Sequence, residues 1–247
     1  AVSIAADRIR TGEADIMIAA GTESMSMIPM LGRLAINEAV FARGENVGIA
    51  YGMGLTAEKV AAQWKVTREE QDAFALASHR KALAAQAAGE FDAEVSPFTI
   101  EENVPDLATD KIVARTRAFQ RDEGPRADTS AEGLARLRPV FAAKGSVTAG
   151  NSSQMSDGAG ASILVSERVL KELNLAPLAR WVGYAVGGVP PEIMGVGPIV
   201  AIPKVLKTTG IRQDQLDWIE LNEAFAAQSL AVMRELGLDP AKVNPLG

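Results

Sequence analysis

Strand-like and helix-like periods alternate through the last third of the chain, and this restricts the fold more than any other feature of the sequence. Trp181 to Val186 and Leu216 to Leu221 read as strands. Ile199 to Thr209 and Phe225 to Leu236 carry apolar residues at helical spacing, with Gly210 and Gly237 placed as their stops. That order predicts an α/β architecture with helices packed on a mostly parallel sheet. Near the N-terminus, Asp15 to Gly21 is a short apolar run bounded by turn residues, the pattern of a strand buried on both faces of such a sheet. Alternation returns at Ile163-Leu164-Val165.

Between these runs the chain is helical, then irregular. Val2, Ala5 and Ile9 mark a first helix with Gly12 as its stop, and Thr22 to Gly54 is broken by Pro29, Gly32, Gly44 and Gly48. Helices resume near Thr56. A strong one begins at Thr67, where Thr67 and Glu70 have capping-box spacing, and runs to Gly89 with Ala73, Leu76, Leu83 and Ala87 on one predicted face. Phe91 to Asp128 is polar and aperiodic, which predicts a functional loop region or an insertion.

A chain of 247 residues buries roughly 70–75% of its unfolded surface as one large domain or two modest ones, so it needs no covalent or metal staple. With 47% apolar and 23% charged residues it has ordinary globular composition, and no apolar run approaches the roughly 18 residues of a membrane span. A net charge of −6 disfavours nucleic acid, whose recognition needs a basic face. Zero cysteines exclude a disulfide, a thiolate metal site and a cysteine nucleophile within these residues, and a single histidine argues against a local catalytic triad or a His-rich metal site. No bound metal is expected.

Both ends read as cut. Ala1 follows no initiator Met and enters a helical pattern without a capping residue, and Asn244-Pro245-Leu246-Gly247 is turn chemistry with nothing after it. The expectation is an internal piece of a longer protein. No targeting peptide is visible; the cytoplasm is expected for a bacterial protein, and an organelle stays open.

Several motifs are decoys. Gly52-Met53-Gly54-Leu55-Thr56-Ala57 matches a loose dinucleotide pattern, but Val47 to Tyr51 makes a poor strand and the next acids, Glu69 and Asp72, lie inside a helix. Asn151-Ser152-Ser153 is formally a glycosylation sequon with no other sign of secretion. His79 sits at the edge of an apolar stripe, as a packed or half-exposed histidine does. Met25, Met27 and Met30 lack the Cys or His that soft-metal binding would add, and read as packing or interface residues.

Three segments carry chemistry: Gly21-Thr22-Glu23-Ser24-Met25-Ser26; Thr148-Ala149-Gly150-Asn151-Ser152-Ser153 with Ser156-Asp157-Gly158-Ala159; and Asn222-Glu223-Ala224-Phe225-Ala226-Ala227-Gln228. Met53 to Glu58 and Met194 to Pro198 add to them. In this order, across essentially the whole chain, they resemble the thiolase family, specifically the 3-ketoacyl-CoA and acetoacetyl-CoA thiolases. The resemblance implies a layered αβα fold of pseudo-duplicated βαβ halves with an inserted loop domain, incomplete in this chain. On that map residues 1–24 end the N-terminal half, 25–155 form the loop domain for oligomer contacts and CoA binding, 156–177 hold the last strand of that half and a linker, and 178–247 begin the C-terminal half.

The resemblance also implies a chemistry. It is the reversible thiolytic cleavage of 3-oxoacyl-CoA to acetyl-CoA and a shortened acyl-CoA, or the reverse condensation, through an acyl-cysteine. The family's nucleophilic cysteine, its GHP histidine and its second cysteine match nothing in these residues, and a 247-residue polypeptide should be inactive and poorly stable. Asn222 takes the role of the asparagine that holds an oxyanion-hole water; read without the resemblance, it could equally cap the helix that follows. Arg126 meets the nucleotide end of coenzyme A, though a solvated loop charge is the plain alternative. Ala149, Gly150 and Ser153 line the pantetheine channel, and Met53, Met194, Ala224 and Phe225 wall the acyl and thioester region. Gly133 stands where some members have a CoA-contacting serine. Gly52, where acetoacetyl-CoA thiolases often carry His, points with the Tyr184 to Pro198 stretch toward longer acyl chains. Coenzyme A is a co-substrate and no prosthetic group is implied. Residues 25–45 resemble a tetramer-contact loop, so a homodimer or homotetramer is expected. The other reading is a thiolase-like protein that binds acyl-CoA or scaffolds without catalysis; the intact Asn222–Phe225 motif favours the enzyme.

Overall fold

The computed structural model describes residues 1–28 and 35–247. Met30, Pro29, Gly32 and part of the 25–45 loop lie outside the described residues. The described elements are α1 (Val2–Arg10), β1 (Ile16–Glu23), α2 (Glu38–Phe41), α3 (Met53–Gln63), α4 (Arg68–Ala88), β2 (Phe98–Asp106), β3 (Lys111–Phe119), α5 (Ala131–Ala135), β4 (Gly158–Val165), α6 (Glu167–Glu172), α7 (Gly197–Thr209) and α8 (Ala226–Leu236). Short 3-10 turns at Gly44–Ala50 and Pro191–Val196 precede α3 and α7.

The helix signals act as encoded. The Thr67 hydroxyl accepts from the Glu70 backbone N–H at 3.2 Å, and the Glu70 carboxylate accepts from the Thr67 N–H at 2.8 Å. Gly89, Gly210 and Gly237 end α4, α7 and α8 in the left-handed region, which costs glycine no steric penalty.

The packing centre is α8. Ala226, Ala227, Gln228, Ser229, Ala231, Val232 and Met233 are all buried, and the helix contacts α3, α4 and α7. Leu221, Val232, Met233, Leu238 and Val243 form one apolar cluster; Val60, Val196 and Ala231 form another, reached by Ile199 from both sides. The small side chains of α8 let α3 approach closely, and the first two turns of α8 are buried while Arg234 and Glu235 near its end stay exposed.

Five expectations need correction. The sheet is not parallel: β1 pairs antiparallel with β4, from Ile16 opposite Val165 to Glu23 opposite Gly158, and β2 pairs antiparallel with β3. Within these 247 residues the strand at 15–21 is not covered on both faces. The ribbon has only two strands among the described residues, and Ile18 is 67% exposed. Trp181 to Val186 forms no described ladder, and Leu216 to Leu221 contributes only a parallel bridge between Ile219 and Val243. A strand is a property of a pair, and periodicity reads only one partner. Residues 91–128, expected as an irregular loop region or an insertion, carry regular structure, the β2–β3 hairpin, closed by a turn with Asp110 at φ +50°. Lastly, the predicted apolar face of α4 is not the buried one. Ala73 and Ala87 are exposed, while Gln71, Asp72 and Ala85 are buried, because polar partners wait for the first two.

Pairing of β1 with β4 brings the two ends of residues 24–157 together. Asp157 closes that base, accepting from the Ser26 hydroxyl at 2.5 Å and its backbone N–H at 2.8 Å, and these bonds hold its carboxyl below the ordinary carboxylate range.

Candidate functional site

The Thr148–Ser153 loop and the residues just before it are held by polar side chains from two helices, α3 and α4. Glu58 of α3 accepts from the backbone N–H groups of Ser146 and Val147, each at 2.9 Å. Asn151, 3% exposed, accepts from the Thr148 N–H at 2.8 Å and donates to Asp72 of α4 at 2.9 Å and to the Ser146 carbonyl at 3.2 Å. Asp72 is in turn paired with Arg68 at 2.7 Å, and Arg68 donates to the Leu134 and Leu137 carbonyls around the end of α5. The buried amide is therefore fully used in holding the loop, which removes the sequon as a modification site. Gly150 packs so closely that a Cβ there would stand 2.5 Å from the Leu134 and Leu137 side chains.

Two motifs distant in sequence are joined through their backbones. The Ser153 N–H donates to the Ala224 carbonyl, and the Ala226 N–H to the Asn151 carbonyl, both at 3.0 Å, around an antiparallel bridge between Ser152 and Phe225. Phe225 meets the Phe141 ring edge to face, with centroids 6.0 Å apart. Upstream, the Asn244 side chain accepts from the Leu221 N–H at 2.7 Å and donates to the Leu221 carbonyl at 2.8 Å. Glu223 accepts from Asn244 at 2.7 Å and from the Ser78 hydroxyl of α4 at 2.6 Å.

Two clefts open on this construction, and Glu220, Leu221 and Asn222 line both. One, of about 730 Å³, has Met53, Met194, Ala224 and Phe225 on walls that are mostly apolar. The other, of about 890 Å³, is lined by Gly150 and Ser153 with Ser78, His79, Gln86 and Asn244. Acids also face it: Asp122, Glu123, Asp157 and Glu223.

Of the sequence-predicted residues, Asn222 stands on the shared wall, four line the apolar cleft and two the polar one. Ala149 and Arg126 line neither. Ala149 is exposed beside Gly150, and Arg126 is directed to Asp128 at 3.5 Å with its side chain 67% exposed. The Arg126 backbone N–H donates to His79 Nδ1 at 3.2 Å, which brings that loop to the rim of the polar cleft. His79 is half-buried. Burial lowers its pKa, the Arg126 charge lowers it further, and Asp128 and Glu223 oppose the shift.

Sequence reasoning missed Glu223, Asn244 and Gln228 as site-forming residues. Gln228 lines the apolar cleft at 5% exposure, and its Oε1 has no hydrogen-bond partner among the described residues. A buried amide at helical spacing after Phe225 is the signal that could have found it. Among the described residues no group of three or more His, Cys, Asp or Glu is placed to hold a metal ion, and no described helix is long and apolar enough to cross a membrane.

Two clefts of opposite polarity share a wall at Glu220, Leu221 and Asn222. Residues 1–168 match the family model for the thiolase N-terminal domain and residues 175–247 that for the thiolase C-terminal domain; the chain belongs to the thiolase family. It is 46% identical over 248 residues to a 3-ketoacyl-CoA thiolase of Bacillus subtilis, covering all of this chain and 62% of that protein. It is also 46% identical over 258 residues to an acetyl-CoA acetyltransferase of Chromobacterium violaceum, of which it covers 64%. Among solved structures, the dimeric peroxisomal thiolase of Saccharomyces cerevisiae superposes with a TM-score of 0.87 at 42% identity, over all of this chain and 60% of that one. The human mitochondrial 3-ketoacyl-CoA thiolase gives 0.81 at 38% identity, over all of this chain and 63% of its own. The fold is the thiolase fold, and the chain spans somewhat under two thirds of the length of these relatives.

Proposed function

We propose that the whole protein is an acyltransferase that cleaves 3-oxoacyl-CoA to acetyl-CoA and a shortened acyl-CoA, or runs the reverse condensation. The observation that carries this reading is the common wall at Asn222, with an apolar cleft on one side and a polar one on the other. A 3-oxoacyl-CoA has that polarity, an aliphatic acyl chain on one side of the reacting carbons and an amide-rich pantetheine arm on the other.

In this proposal a cysteine thiolate, absent from these 247 residues, adds to the C3 carbonyl. The C2–C3 bond breaks, the acyl group stays on sulfur, and acetyl-CoA leaves as an enolate that takes a proton at C2. A second CoA thiol then accepts the acyl group and returns the thiolate. Charge on the departing thioester oxygen needs donors already in place, since water would have to reorganise to supply them. Asn222 holds the water that donates there. Coenzyme A runs through the polar cleft past Gly150 and Ser153 and leaves it over the exposed Ala149 and toward Arg126, and the acyl group lies among Met53, Met194, Ala224 and Phe225. The N-terminal end of α1 contributes its partial positive charge to the thiolate.

Residues 1–24 then end the N-terminal half, 25–155 form the loop domain, 156–177 close the half and 178–247 open the C-terminal one. Asp157 on Ser26 supports that division. The protein is a homo-oligomer in this reading, a state in line with the dimeric peroxisomal thiolase of yeast. The test is turnover of 3-oxoacyl-CoA by the whole protein. Asn222→Ala should reduce kcat by about 100- to 1,000-fold with CoA affinity unchanged. Full activity in that variant would remove Asn222 from the mechanism.

A further inference from the structure

We propose that Glu223 is a positioning residue for Asn222, fixing the asparagine's backbone through a two-bond brace to α4 and to Asn244. The inference rests on the role just proposed for Asn222. Asn222 is exposed on the wall between the clefts, so the aim of its side chain depends on how firmly the residues on either side are held. On one side, both backbone groups of Leu221 are bonded to the Asn244 amide, at 2.7 and 2.8 Å. On the other, the Glu223 carboxylate takes the second Asn244 Nδ2 hydrogen at 2.7 Å and the Ser78 hydroxyl at 2.6 Å. Lys81 of α4 donates to the Val243 and Asn244 carbonyls at 3.2 and 3.1 Å, so the far anchor of the brace is itself fastened to α4.

The amide of Asn244 has two donor hydrogens and both are committed, one to Leu221 and one to Glu223. Without the carboxylate one donor is unpaired, the amide is free to turn, and the clamp on Leu221 loosens with it. The bonds span 145 residues from Ser78 to Glu223, and only the folded molecule assembles them. Glu223 also faces the polar cleft near His79, so an acid–base role is the competing reading, and the isosteric amide separates the two. Glutamine at 223 can accept from Asn244 through Oε1 and donate to the Ser78 oxygen through Nε2, keeping both bonds and losing the charge.

The experiment is steady-state kinetics of the whole protein, with thermal melting as a check on folding. Glu223→Ala should lower kcat by about 10- to 100-fold with KM for 3-oxoacyl-CoA held within about threefold, the pattern of a displaced transition-state contact. Glu223→Gln should restore kcat to within about threefold of the parent and leave the pH profile unmoved. Adding Glu223→Ala to Asn222→Ala should cost nothing more, because both act through one group. If Glu223→Ala does not fold, Ser78→Ala stands in, with a kcat loss of about threefold or more at constant KM. Glu223→Gln as inactive as Glu223→Ala, additive losses in the double variant, or undiminished kcat in Glu223→Ala or Ser78→Ala would each overturn the inference. Undiminished turnover in Asn222→Ala alone would instead overturn the role of Asn222, and the inference with it.

Discussion

Asn151 donates its side-chain amide to Asp72 at 2.9 Å, a side-chain bond that ties the Thr148–Ser153 loop to α4. Both residues are buried, and Asp72 has Arg68 as its only charge partner among the described residues. A buried carboxylate with one donor removed is costly, so the pair acts as a unit.

Replacing Asn151 with Ala should therefore destabilise the protein by about 1–3 kcal/mol, since it strands the Thr148 N–H and one Asp72 oxygen. At this chain length each kcal/mol lowers Tm by roughly 2–4 °C. Calorimetry checks the stability, and isothermal titration with CoA should show weaker binding, because Gly150 and Ser153 move with the loop.

Gly54 lies directly beneath Phe141. A Cβ at this position would stand 2.1 Å from Phe141 Cδ1, a hard overlap, and Phe141 packs edge to face on Phe225. Gly54→Ala should cost about 1–3 kcal/mol of overpacking and displace Phe225 from the apolar cleft. Denaturant unfolding with a parallel turnover assay would show both losses, whereas Gly44→Ala, where a Cβ meets nothing within 4 Å, should show neither.

His79 makes stability pH-dependent in a definite direction. Burial first, and Arg126 second, lower its pKa below the ordinary 6.5, so the unfolded chain binds more protons as pH falls below that value. The stability contributed by neutral His79 is complete above about pH 6.5 and is lost as pH falls through the folded pKa. Protonation of Nδ1 would also end its acceptance of the Arg126 N–H. Denaturation midpoints just below pH 6.5 should decline in the parent and flatten in His79→Gln; an unchanged slope in the variant would assign the effect to other groups.

Gly52 caps α3 at φ −65° and ψ 153°, a conformation open to any residue, immediately before Met53 at the apolar cleft. Gly52→His should fold normally and shift preference toward short substrates. The ratio of kcat/KM for a long 3-oxoacyl-CoA to that for acetoacetyl-CoA is expected to fall by about tenfold or more.

Much of this was legible in the sequence where the signal is local. The capping box at Thr67 and Glu70 and the three glycine stops need only their own neighbours. The β2–β3 hairpin was not legible, because a ribbon exposed at most of its positions has no buried face to impose apolar alternation. Pro105 within it also reads as a breaker, although a two-stranded ribbon tolerates a missing donor. The face of α4 failed for a related reason: Gln71 and Asp72 are buried by polar partners at Ser146 and Asn151, which no helical period encodes. The motif residues announced themselves, whereas Glu223 and Asn244 gain their part only from contacts between segments far apart in the chain.

The join between residues 151–153 and 224–226 is made of main-chain atoms alone. Truncating the Ser152 or Ser153 side chain would leave both bonds in place, and the loss at Asn151 would be credited to its side-chain amide. Proline is the informative substitution: at 153 or 226 it deletes the very N–H that crosses the join, even though the first turn of α8 would otherwise accept it. A mutational map built on alanine would overlook the seam that a map built on proline would trace.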